Sequence, residues 1–125
     1  NPLAPSIDIG QVEGGFIQGM GWLTCEDVLY SPEGRLLTHG PSTYKIPAAG
    51  DTPLAFNVAL LENAENPLVV GGSKAVGEPP FMLAISVVTA LRDGIRAFGP
   101  PGVPVELGMP ATPESVLRAI AARQT

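Results

Sequence analysis

Apolar residues return at helical spacing through 11–24, where QVEGGFIQGMGWLT places Val12, Phe16, Met20 and Leu23 on one stripe. The same segment holds Gly14, Gly15, Gly19 and Gly21, each costing roughly 0.5–1 kcal/mol against Ala inside a helix. Such a helix needs compensation, and two sources stay open: close packing of another backbone, or the approach of a ligand. Next, VLY, the turn Ser31-Pro32-Glu33-Gly34 and RLLT predict a hairpin, with Pro and Gly at their type I positions. Leu54 to Leu61 alternates Phe56, Val58 and Leu60 against Asn57, Ala59 and Leu61, which predicts a strand with one deeper face. Leu68 to Val70 and Val103 to Leu107 are shorter strand candidates.

From Pro80 to Phe98 the chain is apolar nearly all round before Arg92, which predicts a helix buried on most sides at the centre of the core. Arg92 and Arg96 suit its negative C-terminal end, and Gly99-Pro100-Pro101 stops it. Thr112-Pro113-Glu114 starts a last helix with Val116, Leu117 and Ile120 as its apolar stripe. The expected architecture is α+β: mixed, mostly antiparallel strands packed on a buried helix and a Gly-rich helix.

Composition narrows the function classes. The chain has 125 residues, 45% of them apolar, which suits one domain with a core. Seven Lys+Arg against twelve Asp+Glu give a net charge of −5, without the row of cations that a nucleic-acid surface requires. The longest uncharged stretch, residues 79–91, is far short of the roughly 20 residues that cross a membrane. Cys25 is the single cysteine, so it forms no internal disulfide and no iron–sulfur centre, and a reducing cytoplasmic setting is expected. The chain opens Asn-Pro-Leu-Ala-Pro, without Met or a signal-peptide pattern, and reads as a piece of something longer.

Among the residues that carry chemistry, Glu78 has the most suggestive neighbours. It sits between Gly77 and Pro79, with Ala75-Val76 before it and Phe81-Met82-Leu83 after it, at the start of the apolar helix. Desolvation there disfavours the carboxylate and a helix N-terminus favours it. A general base and a helix-end carboxylate are both consistent with that setting. Lys74 is a charge partner, an anion ligand or a solvated side chain, and the glycines 71, 72 and 77 do not form a phosphate loop. His39 is the single histidine, which suits a turn rather than a metal site; no metal ligand set is expected in this chain. Cys25 precedes Glu26-Asp27, whose charge opposes a reactive thiolate. Gln11 opens the Gly-rich helix as a neutral amide, either a helix-end residue or a ligand contact.

Together, QVEGGFIQGMGWLT, SPEGRLLTHGPSTYKIPA, SKAVGEPPF and PATPE resemble the C-terminal part of the molybdenum-binding subunit of the xanthine dehydrogenase family. The resemblance implies that residues 1–125 are a C-terminal fragment of a larger molybdopterin-binding domain. It implies that Glu78 is the catalytic base for hydroxylation of a purine carbon by a molybdenum-bound hydroxyl. It also implies that Gln11, Ala75, Val76 and Gly77 face the molybdenum–molybdopterin cofactor, shared with sequence outside this chain. Related aldehyde oxidases carry Gly-Glu-Ser-Gly where this chain has Gly77-Glu78-Pro79-Pro80, so the likeness leans to the purine enzymes.

The expected partners are the rest of the molybdenum-binding subunit, an iron–sulfur and FAD subunit, and a purine. Neither nucleic acid nor a membrane is expected. An isolated chain should be inactive and self-associate, because too little sequence covers its apolar helix. Two alternatives stand beside this reading: a non-catalytic interaction module, and a related aldehyde or N-heterocycle oxidoreductase.

Overall fold

The computed structural model describes residues 2–62 and 65–124. Four α-helices carry it: α1 (Pro5–Thr24), α2 (Glu78–Leu83), α3 (Ile85–Arg96) and α4 (Pro113–Gln124), with single 3₁₀ turns at Ala49–Asp51 and Val70–Gly72. No sheet forms among the described residues, and the β pairing there is one isolated antiparallel bridge between Tyr30 and Leu36. The expected α+β fold with mostly antiparallel strands is therefore corrected to a helical arrangement joined by long extended segments.

The physical reasons differ by segment. In the predicted hairpin, Ser31 N donates to Arg35 O and Leu37 N donates to Leu29 O, both at 2.8 Å. Gly34 takes the positive φ of +81° that the turn requires. The ladder ends because the Leu29 amide is taken by the Thr38 hydroxyl at 3.0 Å. Residues 54–61 do alternate in exposure, with Phe56, Val58 and Leu60 half-buried between exposed neighbours. That alternation expresses a preference for one face, and no backbone partner for it lies among the described residues. In the 103–107 segment, the carbonyls of Val103 and Pro104 accept from the Arg123 guanidinium instead of a neighbouring strand.

The long apolar helix is also corrected. It divides at Ala84 into α2 and α3, through a tight turn in which Ala84 N donates to Phe81 O and Val87 N to Ala84 O. Burial follows one stripe, Ala84, Val88 and Ile95, while Met82, Leu83 and Ile85 stand exposed. An apolar circumference raises the demand for burial but does not supply partners, and the helices that chiefly pack against this pair among the described residues are α1 and α4.

The Gly-rich helix forms as expected and begins earlier, at Pro5, where the proline occupies the first turn and Asp8 lies near the positive end. At its other end Thr24 Oγ1 donates to Met20 O at 2.7 Å. The core consists of Leu23, Ala84, Val88, Ile95, Leu107, Ala111 and Ala119, with Phe16, Leu91, Val105, Val116 and Ile120 packed around it. Ala111 N donates to Leu23 O at 2.7 Å, which ties the chain before α4 to the end of α1. As expected, Thr112 opens α4: its hydroxyl accepts from Ser115 N at 3.2 Å.

Candidate active site around Glu78

Glu78 is the first residue of α2, and Pro79 and Pro80 follow where missing amides cost nothing. The carboxylate is exposed. The desolvation expected from its apolar neighbours in sequence is thus not supplied by the described residues, because Phe81 turns toward α1 and Met82 and Leu83 stay outside.

Glycine decides how α2 meets α1. A β-carbon on Gly15 would stand 2.5 Å from the Gly77 carbonyl oxygen, and one on Gly19 would stand 2.3 Å from the Phe81 carbonyl oxygen and 2.8 Å from Ala84 Cβ. Real β-carbons do not approach oxygen that closely, so only glycine admits the contact. Two residues on, and so on a different side of the helix, a β-carbon on Gly21 would strike the Pro47 ring at 2.4 Å. Gly14, in contrast, faces open space. Of the two explanations the sequence left for this helix, close backbone packing is the one the geometry displays at Gly15 and Gly19. The signal was present as two glycines four residues apart on a helical face, although the sequence did not say what they meet.

This packing brings two of the predicted site segments together. Gln11 lies on α1 one turn before Gly15, and its Oε1 is 3.7 Å from where a β-carbon on Gly77 would sit. The Gln11 carboxamide is exposed and has no hydrogen-bond partner among the described residues. Ala75 is exposed and Val76 and Gly77 are half-buried. The peptide groups of Ala75 and Val76 make no backbone hydrogen bonds among the described residues, whereas the Gly77 carbonyl accepts from Phe81 N. Free donors and acceptors thus line the approach to Glu78 from α1 and from the 75–77 loop. Lys74 is exposed and forms no ion pair among the described residues.

Beside these polar groups, Val12, Phe16, Phe56, Val58, Pro79, Pro80 and Leu83 line an open apolar groove of about 620 Å³. The rings of Phe16 and Phe56 meet at 5.6 Å with a 42° tilt, which holds the extended 54–61 segment against α1. Trp22 stacks on Phe81 at 5.6 Å and 22°, on the same side of α2 as the Gly19 contact.

The remaining sequence candidates lie apart from this cluster. His39 is exposed, on a loop that also carries Tyr44. Tyr44 donates to Glu26 Oε2 at 2.5 Å, a pairing the sequence gave no sign of, and that hydrogen bond pushes the phenol above its ordinary range. Cys25 is half-buried; burial first and Glu26 second push its thiol up, against a smaller opposing contribution from Thr24. That direction is the one expected from its acidic neighbours. Among the described residues there is no group of three His, Cys, Asp or Glu that would hold a metal ion directly.

The molybdopterin cofactor-binding domain family matches residues 1–53. The xanthine dehydrogenase/oxidase of Rattus norvegicus is 52% identical over 122 residues, covering 94% of this chain and 9% of its own. The xanthine dehydrogenase of Dictyostelium discoideum is 57% identical over 95 residues, 76% of this chain and 7% of the relative. Among solved structures, quinoline 2-oxidoreductase from Pseudomonas putida 86 superposes with a TM-score of 0.79 at 35% identity, covering 95% of this chain and 14% of that one. The chain spans about a tenth of the length of these curated relatives. It belongs to the xanthine dehydrogenase family, as a segment of the molybdopterin cofactor-binding region.

Proposed function

We propose that residues 1–125 form the C-terminal part of a molybdopterin-binding domain and serve as one wall of the active site of a purine-hydroxylating molybdenum enzyme, with Glu78 as the general base. The observation that carries this reading is the juxtaposition at the α1–α2 crossing: an exposed carboxylate on a tightly seated helix end, beside a free carboxamide and unpaired peptide groups. Those groups suit a pterin, whose heterocyclic edge alternates donors and acceptors and is held best by amides.

In this reading Gln11 and the peptide groups of Ala75, Val76 and Gly77 hold the cofactor edge. The cofactor, when bound, supplies the two-electron acceptor and the oxygen for hydroxylation. Glu78 accepts a proton at a carboxylate oxygen, a contribution of about 100- to 10,000-fold to the rate. Pro79 and Pro80, which follow Glu78, carry no amide N–H that would compete for that oxygen. The rest of the molybdenum-binding subunit supplies the other walls, and iron–sulfur and FAD parts of the enzyme carry electrons onward. The string Gly77-Glu78-Pro79-Pro80 is intact, which favours this reading over a non-catalytic interaction module.

One observation favours a broader substrate class. The similar structure is of an enzyme named for quinoline, a fused N-heterocycle without the oxo groups of xanthine. Relatives named for xanthine are the more similar in sequence, so a purine is the first choice. Turnover of the full enzyme on xanthine and on quinoline, measured as kcat/KM, tests the choice: preference for xanthine supports it, and preference for quinoline moves the function to the broader class.

A further inference from the structure

The carbonyl of Gly77 belongs to the peptide that ends at the Glu78 nitrogen, and that peptide is planar and stiff. A displacement of the carbonyl therefore carries Glu78 with it. Helix α2 is only six residues long and has no side-chain cap, so it has little means of its own to fix its first residue. What fixes it is α1: the carbonyls of Gly77 and Phe81, one turn apart on α2, rest on Gly15 and Gly19, one turn apart on α1, and Trp22 covers Phe81 beyond them. Two such contacts set both the tilt and the axial position of α2.

From this geometry we propose that Gly15 is a positioning residue for the base: its missing side chain sets where the Glu78 carboxylate stands relative to Gln11 and the 75–77 loop. The inference rests on the reading of Glu78 as the base. A β-carbon at Gly15 would stand 2.5 Å from the Gly77 oxygen, so the peptide before Glu78 must retreat by about 1 Å to reach ordinary contact. A base works only within hydrogen-bond reach of its proton, and a misplacement of about 1 Å costs about 100-fold in rate. Gly21 is the internal comparison: a β-carbon there meets Pro47 at 2.4 Å and Glu26 at 2.9 Å, an overlap of the same size on the same helix that does not touch α2.

The test uses the full molybdenum enzyme carrying this segment, as Gly15→Ala, Gly21→Ala, Glu78→Asp and Glu78→Gln variants. Molybdenum content, melting temperature, kcat and KM for xanthine are measured for each. Gly15→Ala should retain molybdenum and lose about 10- to 100-fold in kcat with KM within about twofold. Glu78→Asp, which retracts the carboxylate by one methylene without touching the packing, should give the same split. Gly21→Ala should melt earlier with kcat kept. Wild-type kcat in Gly15→Ala, or loss of molybdenum or soluble enzyme in proportion to its activity, would make Gly15 a packing residue only and overturn the inference. Wild-type turnover in Glu78→Gln would instead remove the base reading itself, and the inference with it. An inactive Glu78→Gln beside an unimpaired Gly15→Ala would remove the inference alone.

Discussion

Gly14 and Gly15 are neighbours in α1, yet a β-carbon on Gly14 meets open space while one on Gly15 overlaps the Gly77 carbonyl. Their substitutions should therefore differ in sign. Gly14→Ala gains helix propensity and restricts the unfolded chain, so it should stabilise by about 0.5–1 kcal/mol. Gly15→Ala gains the same propensity and must open the α1–α2 contact, so it should destabilise. Calorimetric melting of the two variants checks this; equal upward shifts would mean that the helices do not meet as described.

Arg123 should be the side chain in α4 least tolerant of change. It is 9% exposed and donates to the carbonyls of Val103, Pro104, Arg96 and Pro100, so it closes the end of α3 and the loop that follows. Arg123→Met leaves those carbonyls without their donor and should cost about 2–5 kcal/mol by denaturant titration. Arg123→Lys should recover only part of the loss, because a single ammonium cannot match a planar fork. Full stability in Arg123→Met would show that water replaces the guanidinium freely.

The Cys25 thiol should react slowly while the protein is folded. Burial and the Glu26 charge both raise its pKa, so the thiolate fraction at pH 8 falls below that of an unfolded chain. Alkylation at pH 8 should accelerate on unfolding, and to a smaller degree in Glu26→Gln, which removes the second cause and leaves the first. The sign for stability follows. A raised folded-state pKa contributes stability that is fully present below the ordinary thiol pKa and is lost as pH rises through the raised one. Native and unfolded chains reacting at one rate would contradict the burial of this group.

Taken alone, the 125-residue chain should self-associate and hold no molybdenum. Leu54, Leu68 and Val70 are at least 94% exposed, and the apolar groove beside Pro79 and Pro80 is open. Large apolar patches of this kind mark surfaces that other sequence covers. Light scattering should find species larger than a monomer, and elemental analysis of the purified chain should find no bound metal. A monodisperse chain with stoichiometric molybdenum would show that this segment encloses the cofactor unaided.

The parts of this molecule legible in the sequence are those that local chemistry settles. Thr112-Pro113-Glu114 announces α4 because a cap hydroxyl, a first-turn proline and an early carboxylate each satisfy a specific need of a helix start. The Gly-rich stretch announces a close approach, of packed backbone or of a ligand, because its poor propensity must be repaid, and Gly15, Gly19 and Gly21 each make a close protein contact. Pairing was not legible. Phe56, Val58 and Leu60 record which face of the 54–61 segment turns inward, but a strand also needs a neighbour, and none lies among the described residues. The continuous apolar run across Ala84 likewise concealed a break, since hydrophobicity does not encode where a helix must turn to lay Ala84 beneath Gly19. At the site, the strings around Glu78 and Gln11 carried the family likeness, while the contact between their two segments is a property of the packing.

Glu78 as the base is tested most directly by the rate at which xanthine reduces the molybdenum centre in the full enzyme carrying Glu78→Gln, followed in a single turnover with metal content verified. The amide is nearly isosteric and cannot take the proton, so the expected result is normal molybdenum content and a reduction rate lower by at least about 100-fold. Reduction at the wild-type rate would contradict it.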